Sequence, residues 1–336
     1  MRKYFTSLLL FFLPAIISAQ KITSISDTSV HASFRGLSVV TDDLFWVSGT
    51  KGTVGKSEDG GKTFQWHILE GFENTDFRSL YAFDKKNAVI ASAGTPAVIL
   101  TTRDGGLSWD QRFRSDDSLM FFDGIDFWDN DHGIIFGDPV DGKMVVMETG
   151  DGGKTWNAIP PANCPQPEKG EAAFAASGTT IRTVPGGEVW IATGGAKSRM
   201  WHSTDYGQHW KGFDTPIVQG KSSQGIFSFA IVRSNSLLIV GGDYMQDTLR
   251  DSTAFFSFDD AKTWKKFALN FPGGYRSCVE NCGDNLFICT GTTGTDLFKE
   301  GKWQSLSSGG YNCVRKARRG KAVYFCGAKG AIGKLE

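Results

Sequence analysis

One short unit recurs five times along the chain: SEDGGKTF (Ser57–Phe64), TRDGGLSW (Thr102–Trp109), TGDGGKTW (Thr149–Trp156), STDYGQHW (Ser203–Trp210) and SFDDAKTW (Ser257–Trp264). Its central aspartates, Asp59, Asp104, Asp151, Asp205 and Asp259, stand 45, 47, 54 and 54 residues apart. The chemistry of such a unit is structural. An Asp in a tight turn accepts hydrogen bonds from the backbone N–H groups just after it, and the preceding Ser or Thr hydroxyl bonds the same carboxylate. The glycines admit the positive φ that the turn needs. The closing Phe or Trp then buries its ring between neighbouring sheets. These aspartates are therefore read as hairpin staples, not as catalytic or calcium-binding groups.

Upstream of each staple the chain repeats a strand–turn–strand rhythm. Segments open near Phe34, Phe77, Phe122, Thr179, Ile226, Tyr275 and Tyr311, and each is followed by a second apolar run such as Leu44–Ser48 or Ala88–Ser92. Seven units of about 45 residues each match the length of a four-stranded blade. No convincing amphipathic helix appears. The expected fold is all-β: a single seven-bladed β-propeller spanning residues 20–336.

Residues 1–19 read as a signal peptide. Arg2 and Lys3 give a positive start, Leu8–Ile17 is apolar, and Ser18-Ala19-Gln20 offers a small-residue cleavage site. The apolar run is short for a bilayer span of about 20 residues, so the protein is expected to be secreted or periplasmic, without a membrane span. The chain carries 36 basic and 36 acidic side chains. Removing Arg2 and Lys3 with the leader leaves a net charge of −2, which argues against nucleic acid as a partner. The seventh unit ends without an outer strand, and Lys21–Val30 is expected to supply it, closing the ring and removing two open sheet edges.

Five of the six cysteines fall in the last sixty residues. In an exported chain they read first as disulfides. Equivalent positions in the strands of units six and seven, which lack the Asp staple, suggest Cys278–Cys289 and Cys313–Cys326, leaving Cys164 and Cys282 unassigned. No CxxC pair, HExxH or other metal spacing is present, and no metal or cofactor is implied. GTKGTVGKS (Gly49–Ser57) fails the phosphate-loop spacing, because Thr50 stands where the first Gly belongs.

The DGGKTW-type boxes at this period resemble the BNR/Asp-box superfamily of sialidases, sortilin and xyloglucan-degrading glucanases. They are most similar to the photosystem II stability/assembly-factor family, best in units one to three. That resemblance implies a non-catalytic binding or assembly module. In such propellers the blade openings surround one mouth of the central channel and the Asp-boxes sit on the other face. Candidate ligand residues at that mouth are Arg35, Arg78, Asp123 and Arg276 from the openings, Asp138, Asp243, Tyr244 and Lys329 from the loops, and Glu171 from the Gly170–Thr179 stretch. Guanidinium groups grip carboxylates bidentately, so the expected partner is a protein segment or an acidic or carbohydrate ligand, met by a monomer.

The alternative is a sialidase-like glycoside hydrolase. Phe34-Arg35 keeps part of the sialidase arginine motif and loses its Ile-Pro. Arg78 and Arg276 would complete an arginine triad, with Asp123 or Asp138 as acid and Tyr244 with Glu171 as the nucleophile pair.

Overall fold

A computed structural model describes residues 20–266 and 268–336; the proposed signal peptide lies outside the described residues. Seven antiparallel sheets are arranged about a central channel. The first blade illustrates the pattern: Phe34–Val39, Phe45–Gly49, Thr53–Ser57 and Gln65–Ile68 pair in sequence order. The innermost strands of the other six begin at Phe77, Phe122, Ile181, Gln224, Cys278 and Cys313.

The burial pattern follows from this stacking. Neighbouring blades cover both faces of the middle strands, so Phe45–Gly49, Thr53–Ser57 and Ala88–Ser92 are buried at every residue rather than at alternate ones. The outer strand Gln65–Ile68 faces solvent in part. Core clusters form between blades: Trp46 and Val54 of the first pack with Leu80, Ile90 and Leu100 of the second. Burial of this apolar surface contributes roughly 25 cal/mol per Å².

All five Asp-boxes form the staple expected of them. In the first, Thr63 donates its backbone N–H to Asp59 Oδ1 at 2.9 Å and its hydroxyl to Oδ2 at 2.6 Å, while Ser57 Oγ donates to Oδ1 at 3.0 Å. In the fourth, the His209 ring takes the place of that threonine hydroxyl, with Nδ1 2.6 Å from Asp205 Oδ2. These bonds to the charged form, those from Thr63 and Ser108 foremost, hold Asp59 and Asp104 down to about 2. Each box also docks on the first hairpin of its own blade; Gly60 N–H donates to Asp43 O, Gly105 to Lys86 O and Gly152 to Asp131 O. The Asp-boxes therefore share a face with the turns that end the innermost strands, away from the strand openings. The closing aromatics lie between blades, with Trp156 buried beside Phe127, Val89 and Ile99.

The ring closes as the unfinished seventh unit requires. Ile22–Ser24 pairs antiparallel with Ile332–Leu335, and Lys21 and Glu336 exchange backbone hydrogen bonds of 3.0 and 2.9 Å. Ile22, Ile25 and Val30 pack on the cluster containing Phe325 and Ile332. The two chain ends thus build one blade.

Of the two expected cysteine pairs, Cys278–Cys289 conflicts with the strand register. All six cysteines are free thiols in this structure. The register places Cys289 opposite Val279 and Cys278 opposite Thr290. Successive residues of a strand point to opposite faces, so Cys278 packs between blades six and seven while Cys289 packs towards blade five. A Cys278–Cys289 bridge would have to pass through the sheet. Cys313 and Cys326 do stand directly opposite each other, unbridged, and Cys278 Sγ lies 3.9 Å from Cys313 Sγ.

Candidate functional site

The spacing between the third and fourth boxes is long because the chain makes an excursion there. Glu171–Ala172 pairs with Gly194–Gly195, which in turn reaches Gly225 at the start of the fifth blade. From that anchor, residues 173–179 cross the central channel. Ala176 O accepts from Arg35 Nη1 at 2.8 Å, on blade one. Ser177 Oγ donates to Ser277 O on blade six at 2.8 Å, and Ser177 O accepts from Cys313 Sγ on blade seven at 3.4 Å. Gly178, at φ +64°, leaves no room for a Cβ beyond 3.1 Å from Arg78 O on blade two. The crossing segment plugs the channel.

Above the plug, at the end where the innermost strands begin, is a cavity of about 540 Å³. Three walls differ in chemistry. The first and second blades contribute Arg35 and Arg78. Burial, and then repulsion from Arg78, lowers the Arg35 pKa from its ordinary value. Arg78 Nε bonds Asp76 Oδ2 at 2.7 Å, and Asp76 Oδ1 is buried without a hydrogen bond. The third blade contributes Asp123 and Asp138. Asp123 is completely buried, and neither carboxylate oxygen has a well-formed hydrogen bond. Burial foremost, and then the Asp138 charge, push its pKa well above the carboxylate range, only partly opposed by Arg78 and the Ala175 amide. Burial also raises Asp138, whose Oδ1 accepts the Ala173 N–H at 3.0 Å.

The remaining wall is aromatic. Phe174 stacks on Phe227 with centroids 3.9 Å apart, and Tyr275 and Tyr244 meet Phe227 edge-on at 4.7 and 6.1 Å. The cavity thus joins guanidinium donors, an apolar platform and a carboxyl group poised to be neutral.

Of the nine ligand candidates, Arg35, Arg78, Asp123, Asp138 and Tyr244 come together here. The other four do not line this cavity. Arg276 is buried to 1 % exposure, paired with Asp296 and donating to Tyr275 O and Thr293 Oγ1. Glu171 is equally enclosed, and accepts from Arg199, from Thr193 Oγ1 at 2.7 Å and from Trp201 Nε1 at 3.0 Å. Asp243 is spent on Gln224 and the Met245 N–H. Lys329 sits at φ +57° on an exposed turn. The arginine triad and the Tyr244–Glu171 couple of the hydrolase reading are therefore not assembled: two of their members are locked in internal pairs.

Phe174, Tyr275 and Thr292 belong to the cavity and were not legible as site residues. The lengthened interval between Asp151 and Asp205 is the signal that could have found Phe174.

Residues 20–120 match the family profile described as Photosynthesis system II assembly factor YCF48. Over that segment the chain resembles the assembly-factor family, and its whole length shares the BNR propeller fold. No curated protein sequence matches it. Among solved structures, "YCF48 bound to D1 peptide" is 16% identical with a TM-score of 0.66, covering 95% of this chain and 96% of that one. YCF48 from Cyanidioschyzon merolae gives the same identity and TM-score over 94% of this chain and 99% of that chain. The GH74 xyloglucanase from Xanthomonas campestris is 14% identical with a TM-score of 0.60, and this chain spans 47% of it. At these identities the likeness is one of fold.

Proposed function

We propose that this chain is an exported, non-catalytic propeller that binds a protein segment at the mouth lined by Arg35 and Arg78. The observation that carries the reading is the pairing of opposite walls in one cavity: two guanidinium groups facing the Phe174–Phe227–Tyr275 platform. An extended peptide offers matching chemistry, a carboxylate for the arginines and an aromatic or branched side chain for the platform. Arg and aromatic side chains in a pocket are also the usual anchors of protein interfaces. The similar propeller described as bound to D1 peptide supports a peptide as the class of partner. Export rests on Arg2, Lys3, the apolar Leu8–Ile17 run and the Ser18-Ala19-Gln20 site.

The test is fluorescence anisotropy of labelled peptides carrying one carboxylate next to one aromatic residue, against purified residues 20–336. Saturable binding lost in Arg35→Gln, and in peptides with the carboxylate amidated, supports the reading. Binding indifferent to both changes, or turnover of fluorogenic glycosides abolished by Arg35→Gln, overturns it.

A further inference from the structure

The plug leaves a second cavity at the other end of the channel, on the Asp-box face. It measures about 280 Å³ and is lined by Arg182, Arg315, Lys316 and Arg318 against Asp126 and Glu280. Four basic groups facing two acids leave an excess of two positive charges.

The donors divide unequally. Arg182 is engaged through Nε and Nη2: it bonds Phe229 O at 3.2 Å, Val279 O at 3.1 Å and Glu280 Oε2 at 2.8 Å. Asp126 is already occupied by neutral donors, with Oδ2 accepting the Thr183 N–H at 2.8 Å and Oδ1 the Phe127 N–H at 3.0 Å. Lys316 spends its ammonium on Gly320 O at 2.8 Å. Arg318 lies over the Tyr81 ring at 4.4 Å and donates to Ser38 Oγ and Ala82 O, so its charge meets no carboxylate at bonding distance. Arg315 differs from them all. Its Nη1 is fully buried without a hydrogen-bond partner, and its nearest acid, Glu280 Oε2, stands 3.9 Å away. That distance is an ion pair but not a hydrogen bond.

A guanidinium fork presents five donors and can only be satisfied by acceptors. Leaving one buried and unbonded costs the desolvation of that group. The cavity is too small for a folded segment, its surplus charge is two, and its free donors form a planar fork beside a second arginine. We propose that this end of the channel is a separate binding site for a dianionic oxyanion of the phosphate class, held by Arg315 and Arg318. A doubly charged tetrahedral oxyanion balances the surplus and accepts bidentately from Arg315. The plug makes the site independent of the peptide mouth. The same chemistry comes as free phosphate or as a phosphomonoester.

The experiment uses residues 20–336 in buffer free of phosphate and sulfate, titrated with inorganic phosphate at constant ionic strength, followed by calorimetry and ³¹P line broadening. The expected result is one saturable site, weakened at least about tenfold in Arg315→Gln, as for loss of a charge-assisted hydrogen bond. Arg315→Lys, which keeps charge but not the fork, falls between. Arg35→Gln leaves phosphate binding unchanged, which separates this site from the mouth. Phosphoserine binding as tightly as phosphate assigns the site to phosphomonoesters; phosphate alone assigns it to the free ion. Absence of saturable binding to the wild type overturns the proposal, and so does binding lost in Arg35→Gln. Should Arg315→Gln fail to fold, Arg318→Gln decides: unchanged affinity there overturns it as well.

Discussion

Replacing Asp123 by Asn should make the protein more stable at neutral pH, and the pH dependence of that gain is the informative part. Asp123 is fully buried with no well-formed hydrogen bond to either oxygen, and its pKa is raised well above 3.8. Below its unfolded value the group is protonated in both states and the substitution changes little. As pH rises past that value, the unfolded chain releases a proton that the folded chain retains. Folding stability then falls by about 1.4 kcal/mol per pH unit until the folded pKa is passed. Asn cannot titrate, so the difference between the two proteins should be near zero at about pH 3, below the unfolded value. Above that pH it should grow, by at most about 1.4 kcal/mol per pH unit, for as long as the folded carboxyl keeps its proton. Urea unfolding midpoints measured at half-unit pH intervals read this directly. Parallel curves for wild type and Asp123→Asn, or a gain that shrinks as pH rises, would refute the burial argument.

Other consequences are simpler. Trp156→Ala should cost about 3–5 kcal/mol, the range for deleting a buried aromatic, whereas Trp156→Phe should cost far less because Nε1 has no partner to lose; denaturant unfolding compares them. Glu171→Gln should destabilise by about 3 kcal/mol, since it leaves the largely buried Arg199 with only the exposed Glu168 carboxylate, 3.9 Å away. Deleting residues 20–30 should lower the melting temperature by removing the strand Ile22–Ser24 and its packing; an unchanged melting temperature would contradict closure by the chain ends. Non-reducing peptide mapping of air-oxidised protein should never recover a Cys278–Cys289 peptide, because the sheet separates the two thiols. If any bridge forms in the last two blades it should join Cys313 to Cys326, its register partner, or to Cys278, whose sulfur lies 3.9 Å away.

The fold was legible in the sequence because a repeated staple reports on local geometry alone. Asp59 and its four counterparts need only their own turn to find their hydrogen bonds. The site was legible in part for the opposite reason. Equivalent positions in successive blades do face one axis, which is why Arg35, Arg78 and Asp123 meet. The same reasoning placed Arg276 there, and failed because Asp296 lies within reach of its guanidinium. Partners such as Arg199 for Glu171 and Asp296 for Arg276 sit 28 and 20 residues away in sequence, and no periodicity reveals them. The Cys278–Cys289 pairing failed on register: one residue of offset between adjacent strands moves a side chain to the other face.

The lengthened Asp151–Asp205 interval marks an insertion, but the path of the plug across the channel could not be read, because nothing repeats in it. Its effect is large, since it turns one channel into two cavities of different chemistry. The mouth near Arg35 joins arginines to aromatics, and the Asp-box end joins arginines to carboxylates.

The proposed function places the protein partner at the mouth opposite the Asp-boxes. Hydrogen–deuterium exchange of residues 20–336 with and without a bound carboxylate-bearing peptide tests it most directly. Exchange should slow in the plug around 172–177 and at the strand openings near Arg35 and Arg78, with the Asp-box turns unchanged. Protection confined to the Asp-box turns would contradict it.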